Sequence, residues 1–90
     1  MANSILKKQY LRQEGYNSSV GNGAWRTYNV TFPIPYSAKP IVTVSHSGST
    51  ANENISLPGE DITPTGFTYH VYTPTTSWTY ETYWQAFGEL

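Results

Sequence analysis

From Trp25 onward the chain repeats one pattern: short runs in which every second side chain is apolar, each closed off by Pro, Gly or Asn. That period belongs to strands, whose successive side chains point to opposite faces, and it excludes helices over the same residues. In Trp25 to Phe32, Tyr28, Val30 and Phe32 share one side while Thr27, Asn29 and Thr31 share the other, which predicts one buried face and one wet face. Pro33, Pro35 and Pro40 bracket an irregular crossing, after which Ile41 to His46 resumes with Val42 and Val44 on one face. A polar loop, Ser47 to Glu53, leads into a short Asn54 to Leu57 run that Pro58-Gly59 ends. Thr63-Pro64-Thr65-Gly66 has turn composition, because Pro presets φ and Gly tolerates positive φ. It feeds Phe67 to Tyr72, with Phe67, Tyr69 and Val71 on one face. Thr73 to Ser77 reads as a loop around Pro74. The last strand, about Trp78 to Phe87, sets Tyr80, Thr82, Trp84 and Ala86 against Glu81, Tyr83, Gln85 and Phe87. Short strands separated by frequent turns predict an antiparallel sandwich or barrel.

The N-terminal stretch reads differently. Residues 5 to 14 hold four of the eleven charges, contain no Pro or Gly, and place Ile5, Leu6 and Tyr10 near helical spacing. A short helix and a first strand ending at Gly15 both fit. Gly15 to Gly23 is turn-rich, and its Asn22-Gly23 pair is a strong turn signal. The expected organisation is a shaft or linker segment over residues 1–15 and one β-domain over 16–90.

Composition narrows the function classes. A chain of 90 residues buries only about two-thirds of the surface its unfolded form exposes, so a large interior has to be shared with another chain. Charged residues make up 12% and the net charge is −1, which excludes a general phosphate-binding surface and with it nucleic acid as a partner. There is no cysteine, hence no disulfide scaffold, thiolate zinc site or Cys nucleophile. No apolar run approaches the ~18 residues of a membrane span, and the start lacks the long apolar stretch of a signal peptide, so a soluble chain without membrane insertion is expected. Eight Tyr, three Trp and three Phe against four Leu suit a β-protein.

Catalytic chemistry has little to stand on. His46 and His70 lie in strand patterns, where ordinary hydrogen bonding is expected of them rather than metal ligation, and no serine has a nucleophile-elbow context. Glu60-Asp61 is an adjacent acidic pair, suited to half a glycosidase couple or to calcium, and reads more simply as a solvated turn. No enzyme activity, metal or other cofactor is called for. Asn-x-Ser/Thr patterns at Asn17, Asn29 and Asn54 lack an export signal. The aromatics carry more information, because Tyr and Trp join a flat apolar face to a polar edge and can stack on a sugar ring or form an interface. Tyr72, Trp78, Tyr80 and Tyr83 are set among Thr and Ser. Trp84 is expected in the core, a role that Tyr80 on the same strand face also fits, whereas Trp78 at a loop edge fits core and binding roles equally. With so few charges, a site would hold a neutral sugar by stacking on Trp78 or Tyr80 and by hydrogen bonds from Asn52, Asn54, Thr75 and Thr76, with the Ser47 to Glu53 loop as the alternative place.

Three landmarks, in order, resemble those of H-type lectin domains: Asn29-Val-Thr-Phe-Pro-Ile-Pro-Tyr-Ser-Ala-Lys-Pro-Ile-Val-Thr-Val-Ser45, Asp61-Ile-Thr-Pro-Thr-Gly-Phe67 and Tyr83-Trp-Gln-Ala-Phe-Gly88. The resemblance covers about residues 25 to 88, and many phage tail-fibre proteins end in a tip domain with the same arrangement. It implies an all-β, six-stranded antiparallel β-sandwich that assembles as a homotrimer and binds sugars near protomer boundaries. In snail and mould lectins of the family a strand Arg and a Trp-His pair hold the sugar; here Asn54 lies near the first place and Pro74-Thr75 near the second. The function so implied is the receptor-binding tip of a phage tail fibre or phage-derived particle, a virion component recognising a bacterial surface glycan. A structural trimerisation cap and a free-standing cytoplasmic lectin are the rival readings.

Overall fold

Each alternating run becomes a strand, since a segment that buries one side chain in two needs that period. The computed structural model describes residues 8–47, 54–73, 76 and 79–90, with Ser47 and Asn54 described by backbone alone. Among the described residues the elements are β1 (Tyr10–Val20), β2 (Ala24–Thr31), β3 (Ile41–Ser47), β4 (Asn54–Ser56), β5 (Ile62–Thr63), β6 (Gly66–Thr73) and β7 (Thr79–Glu89), with a 3-10 turn at Gly59–Asp61. They form two antiparallel sheets. One is three-stranded in the order β1-β7-β3; the other is four-stranded in the order β2-β6-β4, with β5 also paired to β6. The all-β sandwich expected from the alternation is the fold observed, with the two-residue β5 as a seventh strand. Among the described residues no helix is long and apolar enough to cross a membrane.

The central strand of each sheet supplies the core. Phe67, Tyr69, Val71 and Thr73 of β6 are buried, as are Tyr80, Thr82, Trp84 and Ala86 of β7, in the phases expected. Trp84 packs at 5.5 Å, edge to face, on Phe67 and at 5.9 Å on Phe32, so the indole joins the two layers and its core assignment holds.

The N-terminal stretch departs from expectation. β1 runs unbroken through Gly15 to Val20 and pairs with β7 over its whole length, Gly15 opposite Trp84. Neither a helix nor a strand ending at Gly15 forms over the described residues, and a boundary after Gly15 falls inside β1. The glycine answers to packing, because a Cβ there would stand 2.6 Å from Trp84 Nε1. The turn comes later, where Gly23 takes a φ of 71° and its N–H donates to Thr73 O at 2.7 Å. Asn22 Oδ1 accepts from Ala24 N–H and from the Thr73 hydroxyl, both at 3.0 Å, tying the β1–β2 turn to the end of β6.

On its inward side β1 is largely polar, and each group is used. The Gln13 amide donates to Ile34 O at 2.8 Å and accepts from Ile34 N–H at 3.0 Å, standing in as a strand partner for the Pro33-Ile34-Pro35 crossing. Asn17 Nδ2 donates to the Tyr69 hydroxyl at 2.9 Å, which is 2.7 Å from Thr82 Oγ1, and Ser19 Oγ lies 2.6 Å from the Tyr28 hydroxyl. These bonds cross from sheet to sheet. Each contributes about 0.5–1.5 kcal/mol net, and a buried group left unpaired costs about 1–3 kcal/mol.

Candidate functional site

The strand phases that fill the core also decide what each sheet shows to solvent. On the four-stranded sheet, β2 turns out Trp25, Thr27 and Asn29, and β6 turns out Thr68, His70 and Tyr72. The register sets Trp25 opposite Tyr72, Thr27 opposite His70 and Asn29 opposite Thr68, while Ser56 of β4 flanks His70 from the other side. Side chains in these rows touch. Trp25 leans on Tyr72 with ring centroids 5.6 Å apart at 44°, Thr27 Oγ1 lies 3.0 Å from His70 Nδ1, and Thr68 Oγ1 donates to Asn29 Oδ1 at 2.7 Å. Trp25, Ser56 and His70 line an open depression of about 300 Å³, and Trp25 remains 55% exposed. A second depression, of about 220 Å³, lies near the β5–β6 hairpin and is lined by residues that include Asn29, Asp61, Thr63 and Thr68.

The three-stranded sheet shows the opposite. Tyr16 stacks on Tyr83 at 5.4 Å and Tyr10 on Phe87 at 5.6 Å. Ile41, in register with Phe87, is 72% exposed, and Val20 at the end of β1 is also exposed.

The site residues expected from the sequence fall in several places. Trp78, Asn52 and Thr75, and most of the Ser47 to Glu53 loop, lie outside the described residues. Thr76 is exposed in a turn, and Asn54 opens β4 in register with Tyr72, across β6 from Trp25. Tyr80 requires a correction: it is 3% exposed, on the inward side of β7 with Thr82 and Trp84, so the protomer presents no Tyr80 face on which a sugar could stack. Sequence reasoning missed Trp25, His70 and Ser56. The phase that sends Tyr28, Val30 and Phe32 inward already sends Trp25 outward, but only the sheet order brings His70 and Ser56 beside it. His70 makes the ordinary strand hydrogen bond, to Thr27, and Glu60 and Asp61 form the 3-10 turn. Among the described residues no group of three or more His, Cys, Asp and Glu side chains converges.

The fold is a small two-sheet sandwich whose four-stranded sheet carries a polar outer face hollowed beside an exposed indole. The sequence pattern of the H-type lectin domain matches residues 27–87, and the chain belongs to that family. Among solved structures, it is similar to the tailspike protein gp49 from Pseudomonas phage LKA1, with a TM-score of 0.62 and 22% identity over 92% of this chain. The match covers 15% of that protein, so it bears on the fold of one region of a much longer chain. Among curated proteins no relative matches by sequence.

Proposed function

We propose that the chain is a carbohydrate-binding, receptor-recognition domain at the tip of a phage tail fibre or spike, acting as a homotrimer on a bacterial surface glycan. Membership of the H-type lectin family supports the carbohydrate reading, and the likeness to part of a phage tailspike supports the virion setting. The observation that carries the assembly is the outer face of the three-stranded sheet. Two stacked aromatic pairs, with Ile41 in register with Phe87, leave apolar area exposed on a domain too small to cover it alone, with Glu14 and Gln85 set between the pairs. The same face carries charges of both signs, Arg12, Glu14 and Glu81. Its occupant in this reading is a second and third copy of the chain.

Sugar contact is assigned to the four-stranded sheet and to the segments that leave β6 after Thr73 and reach β4 at Asn54, which carry Thr75, Thr76, Trp78, Asn52 and Asn54. Stacking and neutral hydrogen bonds contribute about 1 kcal/mol each, which makes a single site weak. Three sites on one trimer facing a repeating surface glycan raise the effective affinity by ~10²–10⁴-fold when their spacing matches. An array of bacterial surface polysaccharides, probed with the chain after light scattering has established its mass, tests the reading. Saturable binding by a trimer supports it. A trimer that binds no glycan and no host cell would instead be a structural cap registering three fibre chains.

A further inference from the structure

We infer that the outer face of β2, β6 and β4 holds a saccharide subsite in which the Trp25 indole stacks on the apolar face of a neutral hexopyranose, while His70 Nε2 and Ser56 Oγ hydrogen-bond its hydroxyls. The inference rests on the carbohydrate-binding reading above and adds to it a place and a ligand chemistry. A pyranose ring has one face of C–H groups and a rim of hydroxyls that both donate and accept. Its counterpart is a flat apolar surface beside a few adaptable polar atoms. The depression beside Trp25 offers that combination, with an indole, an imidazole and a hydroxyl around about 300 Å³.

Three features distinguish the arrangement from a chance exposed tryptophan. First, Trp25, His70 and Ser56 stand on hydrogen-bonded strands in fixed register, which holds a constellation more tightly than loops do. Second, Tyr72 supports the indole from one side at 5.6 Å, so stacking a ligand does not require ordering a free side chain. Third, Thr27 engages His70 Nδ1 at 3.0 Å and leaves Nε2 as the remaining polar atom of the ring. A threonine hydroxyl can donate to Nδ1 or accept from it, so Nε2 can present either a proton or a lone pair, matching a sugar hydroxyl in either role. The described residues lining this depression are an indole, a hydroxyl and an imidazole, a set that suits an uncharged ligand.

The test follows indole and imidazole signals of the intact chain by NMR during titration with the methyl glycosides of glucose, galactose and mannose and with neutral bacterial polysaccharides. Buried Trp84 serves as the internal control. The expected result is saturable movement of Trp25 and His70 with at least one saccharide, at a Kd on the order of millimolar for a monosaccharide, with Trp84 still. Trp25→Ala should weaken that binding at least tenfold at unchanged melting temperature, Trp25→Phe should restore most of it, and His70→Ala should weaken it several-fold. Saturable binding that moves other signals and survives Trp25→Ala would overturn the subsite while leaving the lectin reading intact. Binding confined to anionic saccharides would overturn the neutral ligand. If no saccharide moved any signal and no glycan were bound on the array, the functional reading itself would fail and take the subsite with it.

Discussion

On the outer face of the three-stranded sheet Tyr16 lies flat against Tyr83 with centroids 5.4 Å apart, whereas on the four-stranded sheet the row of Thr27 and His70 is joined by a hydrogen bond of 3.0 Å. Both rows are cross-strand pairs on antiparallel neighbours, and both face away from the core. What differs is the use of the outward phase. One sheet puts large aromatic groups there, the ones the proposed assembly would cover. The other puts Thr, Asn, Ser and His there and keeps one aromatic pair, Trp25 and Tyr72, at one end. Under the proposed function, a chain with one small core separates assembly from recognition by what it writes into alternate positions of two sheets.

The strongest way to break the comparison is to remove what the two faces share. Trp84 contacts Phe32 and Phe67 across the sandwich, so Trp84→Ala should cost about 3–5 kcal/mol in denaturant unfolding, with both faces losing order together. An unchanged unfolding midpoint would mean that the sheets do not share that core. The next effect belongs to one face alone. Phe87→Ser or Tyr83→Ser should each weaken association by about 2 kcal/mol, as central aromatics of an interface do, and light scattering should show the mass falling from three times the 10.1 kDa protomer toward one. Trp25→Ala should leave the mass unchanged. If the two sheets exchanged these outcomes, the division of labour would be reversed.

A third test asks whether the apolar face exists as described, since half of it is β1. Gly15→Ala places a methyl carbon against the buried Trp84 indole, and overpacking of this kind typically costs about 1–3 kcal/mol. A neutral or stabilising result would detach β1 from β7 and remove Tyr10 and Tyr16 from the face.

That strand also marks the limit of what the sequence disclosed. β2, β3, β6 and β7 were legible because their inward residues are apolar and alternate. β1 was not, because its inward residues are Leu11, Gln13, Gly15, Asn17 and Ser19, whose burial depends on acceptors and hydroxyls far along the chain, such as Tyr69 for Asn17 and Ile34 for Gln13. A strand stabilised by non-local polar bonds leaves no hydrophobic period to read. The site divides in the same way. The outward direction of Trp25 and the inward direction of Tyr80 both follow from phase. The approach of Ser56 and Thr27 to His70 comes from the order β2-β6-β4, which no local pattern encodes.

The smallest effect sharpens the polar face. Thr27 is exposed and touches the proposed ligand only through His70, so it is a positioning residue, and Thr27→Val keeps the β-branched shape that suits a strand while deleting the hydroxyl. Stability should change by no more than about 0.5 kcal/mol, as for most surface substitutions. With its Nδ1 partner gone, the imidazole loses the contact that fixes its orientation and the role of Nε2. Saccharide binding should fall a few-fold, less than for Trp25→Ala, and the ring-nitrogen signals of His70 should move toward those of a free imidazole even without ligand. Thr27→Ser, which restores the hydroxyl, should return both. Lost binding with unmoved His70 signals would place Thr27 itself against the sugar, and moved signals with full binding would remove His70 from the subsite, leaving the indole to act alone.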